Sequence, residues 1–195
     1  MVSTRRKTFV AREDLLNGLS RIARERGFSL YDTVNEIFEL VLRAEGVGMD
    51  LKSVILQHER IKMARDMGFI LGLESLWYEL ADLAYEKAKE RALKSWFEAG
   101  IWFAKRYIGK GSVDAFSVFQ KDLLTFTWNV PEFVVEKGEN EVLIRVISPR
   151  FSESYTFLFS AFLEGALEAF GYRVAYREVG RGTIRLEAVG KEIHA

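Results

Sequence analysis

Apolar residues recur along this chain with two different periods, and the change of period divides it. Leu15, Leu16, Leu19, Ile22 and Ala23 form the stripe of an amphipathic helix that Gly27 ends, with Asp14 or the residues before it as the expected cap. Ser29, with Asp32 three residues on, opens a second helix in a variant of the capping box. Its apolar face is Leu30, Val34, Ile37, Phe38, Val41 and Leu42, and "EGVG" at 45–48 stops it. A third helix is predicted over 50–67, with Leu51, Val54, Ile55 and Ile61 on one face, followed by a break at "GFILG". Ahead of all three, residues 5–10 alternate as a short strand would: Arg6, Thr8 and Val10 point one way, Lys7 and Phe9 the other.

From Glu74 to about Tyr107 the pattern is helical and rich in large aromatics, "GKGS" at 109–112 is a turn, and 113–128 form another helix. The period then becomes alternating. "EFVVE" and "EVLIRVI" flank "KGEN" as a hairpin, and "YRVAYREV" and "TIRLEAV" flank "GRG" as a second. Between them "ESYTFLFSAFLEGALEAFG" reads as a helix ended by Gly171. The expected class is α+β. The expected organisation is a small N-terminal module at 1–48, a connecting helix at 49–73, and an α+β domain at 74–195.

Charge sharpens this division. The chain is neutral, with 28 basic and 28 acidic residues, yet residues 1–27 carry seven Lys and Arg against three Asp and Glu. Such asymmetry points to a nucleic-acid-binding arm. There is no cysteine among the 195 residues, which removes disulfides, thiolate metal sites and cysteine nucleophiles and fits a reducing cytosol. No apolar run reaches the roughly 18 residues of a membrane span, and the basic N-terminus lacks the apolar core of a signal peptide. A cytoplasmic protein with no membrane partner is expected. Charged residues at 29% and only two prolines fit a thermophilic source.

A single strand needs a partner edge. For a strand followed by two helices, the simplest partner is the same strand of a second chain, and a two-stranded ribbon fits the major groove of B-DNA. The basic strand, the L-L-x-x-L-x-x-I-A helix at 15–23, "RERGFS" at the turn and the V-N-x-I helix at 34–37 resemble a ribbon-helix-helix domain, the fold of the Arc repressor and its relatives. The resemblance implies that Arg6, Thr8 and Val10 face bases. It also implies that the start of the second helix, at Ser29 and Leu30, holds a phosphate by its N–H groups. Val10 departs from the usual polar reader and offers at most a contact to a thymine methyl. Arg5 and Lys7 would lie beside phosphates. The competing reading is a plain helical hairpin with a basic, solvated tail.

Residues 74–190 resemble the domain of the 4-vinyl reductase family, in the superfamily of the TRAPP vesicle-tethering subunits. The stretch that carries this is "VLIRVISPRF" leading into "FLFSAFLEGALEAFGYRVAYREVGRGTIRLEAV". Cysteines common in the family's last hairpin are missing here. The resemblance implies a domain that dimerises and holds a small hydrophobic molecule, with Trp96, Trp102, Phe119, Trp128 and Phe162 as candidate lining; the alternative is that these aromatics simply fill a core. His58 and His194 have no sequence partners for a triad or a metal site, and no catalytic residue, metal or cofactor is assigned. The expected function is a homodimeric, sequence-specific regulator of transcription bound to double-stranded DNA, a tetramer being a further assembly left open. The alternatives are a ligand carrier or enzyme of the 4-vinyl reductase type, and a TRAPP-like scaffold. Salt-dependent duplex binding by residues 1–48 separates the first from the others.

Overall fold

A computed structural model describes residues 7–70, 72–109, 114–127 and 129–191. The chain forms two units, Met1–Gly68 and Phe69–Ala195.

The first unit consists of α1 (Glu13–Glu25), α2 (Leu30–Gly46) and α3 (Leu51–Asp66). The cap of α1 departs from expectation. Arg12 occupies the N-cap position without a side-chain capping bond, and Asp14 lies inside the first turn. The Arg12 guanidinium engages both carboxylate oxygens of Asp14, at 3.0 and 2.6 Å, so Asp14 is committed elsewhere. At α2 the spacing works as read: Ser29 Oγ accepts from the Asp32 N–H at 3.0 Å and donates to the Asp32 carboxylate at 2.6 Å. Asp50 caps α3 through the Ser53 N–H. No residue of α3 is buried, and its expected apolar face stands open, with Ile55 53% and Ile61 59% exposed.

The second unit holds α4 (Glu74–Ile108), α5 (Ala115–Phe126), β1 (Glu132–Lys137), β2 (Glu141–Ile147), α6 (Glu153–Ala169), β3 (Tyr172–Gly180) and β4 (Thr183–Gly190). The four strands make one antiparallel sheet in the order β1-β2-β4-β3. Both hairpins and the intervening helix fall where the alternation placed them. Val142, Ile144 and Val146 of β2 and Ile184, Leu186 and Ala188 of β4 are buried on one face, and the charged residues between them face outward. α6 packs on this unit's strands and on α4. It is buried on nearly every side, as befits a helix apolar all round.

α4 and α6 touch backbone to backbone. A side chain on Gly100 would run into the Phe162 carbonyl, and one on Gly165 into the Phe97 carbonyl. α4 is also broken at Ala88, where φ is −151° and ψ 53°. The break lets both halves grip the same helix. Tyr78 and Trp96 both meet the Tyr155 ring, with centroids at 4.8 and 5.5 Å. Along a straight helix those two residues would be about 27 Å apart.

Two outcomes are expected. Gly100→Ala and Gly165→Ala should each cost about 1–3 kcal/mol or more in denaturant unfolding, the range of overpacked cores. The double variant should cost less than the sum, because both force apart the same contact. Asp114 caps α5 through Ser117 N–H and Oγ and pairs with Lys137, and these bonds, the Ser117 hydroxyl first, hold its carboxyl at about 2. A depressed carboxylate stabilises above its unfolded value and loses that contribution as pH falls. The stability gap between the parent and Asp114→Asn, which keeps a cap without the charge, should therefore close between about pH 4 and about 2.

Candidate nucleic-acid interface

The candidate interface is built from the segment before α1 and the start of α2. Lys7–Arg12 belong to no helix and no strand. Arg5 and Arg6, where the expected strand begins, lie outside the described residues. Thr8 is exposed, Val10 is 98% exposed, and the Phe9 ring sits edge-on against Phe38 at 5.7 Å. The strand expected over 5–10 is therefore not formed at residues 7–10, as a strand without a paired edge does not hold; all four residues are exposed, Phe9 touching the Phe38 ring and Val10 facing solvent.

Below Phe9 the helices do not close their own core. Phe9, Ala11, Leu15, Leu16, Leu19, Val34, Ile37 and Phe38 line an open groove of about 130 Å³ whose walls are almost wholly apolar. In α1 only Ala23 is buried, and in α2 only Ala44. Leu15 is 61% exposed, Phe38 49% and Leu42 71%. Exposed apolar patches rimmed by polar residues mark association sites.

Charge around the groove is less free than composition implies. Arg12 is spent on Asp14, whose carboxyl it holds below the usual range, and Arg24 bonds to the Ser20 carbonyl. Among the described residues no ion pair involves Lys7, Arg21 or Arg26. At the start of α2 the Ser29 hydroxyl proton is committed to Asp32, so only backbone N–H groups, Leu30's among them, remain to meet an anion. The Asp32 carboxylate beside them opposes part of the attraction of the helix dipole. The sequence shows Asp32 as a capping partner; its electrostatic cost becomes visible only in the geometry.

In the second unit the candidate lining residues separate. Trp96 meets Tyr155, which stacks on Phe159 at 6.0 Å, and Phe159 stacks on Phe162 at 6.1 Å. Phe162 reaches Phe103 at 5.8 Å, and Phe103 reaches Phe119 at 5.9 Å. Trp96, Phe162 and Phe119 therefore belong to one continuous ring-to-ring array, and Phe119 is 1% exposed within it. Trp102 is outside the array: it is 60% exposed and carries the Arg106 guanidinium over its ring at 4.9 Å. Trp128 lies outside the described residues. Tyr155 and Phe159 are essential links that the reading passed over, although their spacing along α6 was a usable signal.

A polar network closes the start of α6. Tyr78 donates to Glu74 at 2.5 Å, Asn129 and Arg150 donate to the same carboxylate at 3.2 and 3.3 Å, and Ser152 donates to Asp82 at 2.7 Å. The Tyr78 hydroxyl holds Glu74 below its ordinary range, and burial first, then Glu74, raises Tyr78. Burial also pushes Tyr155 up to about 12. Both phenols are neutral at physiological pH, donors rather than bases. Among the described residues no three His, Asp or Glu side chains converge as a metal site. His58 stands exposed on α3. The chain matches no family model, no curated protein and no solved structure.

Proposed function

We propose that this chain is a homodimeric, sequence-specific DNA-binding regulator. In this reading the N-terminal unit contacts the duplex, and the C-terminal unit supports dimerisation and responds to a small hydrophobic ligand. The observation that carries the reading is the segment over the open groove: Phe9 against Phe38 of α2, Val10 turned outward, and an apolar groove beneath that α1 and α2 leave open. A second copy supplies both missing parts. Its segment pairs with this one as a two-stranded ribbon, and its helices cover the groove. Arg6, Thr8 and Val10 of each copy then face the major groove, with Arg5, Lys7 and the Leu30 N–H beside phosphates.

Three variants test this. Arg6→Ala should weaken binding to a selected operator by about 1–3 kcal/mol and relax base preference. Ser29→Ala should lower affinity nearly uniformly across sequences, and it should cost about 1 kcal/mol of stability through the lost cap. Phe9→Ala should lower stability and dimer affinity before it touches base preference. Titrations against the operator and a random duplex at several salt concentrations read all three. If Arg6→Ala leaves both affinities and the salt slope unchanged in a folded dimer, the segment does not read DNA.

The ligand half of the proposal predicts that at least one member of a fatty-acid and isoprenoid panel raises the melting temperature. A flat response across the panel removes the sensor and leaves the DNA-binding reading in place.

A further inference from the structure

The first half of α4 is apolar on two opposite faces. One face belongs to α6: Ala81 is 5% exposed and packs with Leu158, Tyr78 meets Tyr155, and Tyr85 stacks on Phe157. With 3.6 residues per turn, Leu76, Leu80 and Leu83 fall on the opposite side, and Leu73, the extended N-cap residue, precedes them just outside the helix. These four leucines are 74%, 50%, 48% and 48% exposed in chain order. A helix apolar on both faces belongs between two partners. The alternating spacing of three and four residues is that of the a and d positions of a coiled coil.

We propose that this leucine row pairs, in parallel, with the same row of a second copy of the chain. The size of the row selects the occupant. Counting Trp77, 41% exposed beside it, five residues are available, against the roughly 20–30 a side of a standard interface with a free partner. So small a seam holds only a partner already kept close, at millimolar effective concentration or thereabouts. The dimeric N-terminal unit of the proposed function provides such a partner, and the inference rests on that reading.

Charge selects the direction. With Leu80 at a and Leu76 and Leu83 at d, the flanking positions are Glu79 and Glu86 on one side and Trp77 and Ala84 on the other. Parallel pairing sets Glu79 against Ala84 of the other copy. Antiparallel pairing would line the glutamates of both copies along one side, where like charges repel. The next a position is Lys87, where two ammonium groups would meet, so the seam ends at the residue before the break at Ala88.

The absence of native cysteine makes a single introduced thiol an unambiguous reporter. In the full chain, Leu80→Cys should form a disulfide-linked dimer under mild oxidation, because parallel pairing brings this position against itself. Lys94→Cys, exposed beyond the break, should remain unlinked. Leu76→Glu combined with Leu80→Glu should raise the dimer dissociation constant at least tenfold while the circular dichroism spectrum is retained. If Leu80→Cys stays unlinked under oxidation while operator binding persists, the seam fails and the DNA reading stands; antiparallel pairing or cover by another segment of the same chain gives this result. Equal linking of both cysteine variants also overturns the seam, as random collision. Selective linking of Leu80→Cys with operator affinity indifferent to Arg6→Ala supports the seam and sinks the DNA reading instead.

Discussion

The second unit depends on the contact between two glycines' neighbourhoods. Helices normally pack about 8–10 Å apart with side chains between them. Gly100 and Gly165 remove the side chains from both surfaces, so α4 and α6 meet at the backbone. That approach lets the aromatics on either side of the crossing, Trp96 and Phe103 from α4 and Tyr155, Phe159 and Phe162 from α6, join without a gap. It also leaves the other side of α6 free to lie on the sheet, where Ile184 and Leu186 are fully buried. A methyl group at either glycine would disturb a helix pair and a sheet interface at once.

The two units were not equally legible in the sequence. The hairpins were readable because alternation, turn residues and strand length agreed, and α6 because a helical pattern rich in apolar residues ended at glycine. Aromatic residues such as Trp96, Trp102, Phe119 and Phe162 suit a hollow and a core alike, and composition does not decide between them; only the ring geometry places Trp96 and Phe119 inside an array and Trp102 outside it. The break at Ala88 had no signal at all, since "YEKAKERA" contains neither proline nor glycine and its residues favour helix. Tertiary contacts on both sides outweigh that preference. The role of the two glycines was equally hidden, because a glycine within a helical pattern does not announce what approaches it.

The first unit shows the reverse relation. Its helices, its Ser29 cap and the contact of Phe9 with Phe38 follow the sequence closely, while few of its apolar residues are buried. Two amphipathic helices with one buried residue each leave most of their apolar stripes open. The basic character also looks different in three dimensions, since Arg12 is absorbed by Asp14 and the start of α2 carries its own carboxylate. The cations of the first 27 residues are therefore not equally available to a phosphate.

The break at Ala88 has a consequence for how the second unit is made. The two arms of α4 close on Tyr155 across about 60–80 residues of intervening chain, so neither contact is local, and such pairings slow folding. Each arm can form as a helix early, but the grip needs α6 in place, and α6 follows the first hairpin in the chain. Contacts that form late are those whose strengthening slows unfolding rather than speeding folding. Strengthening the rings around Tyr155 is therefore expected to lengthen the lifetime of the native state more than it speeds its formation.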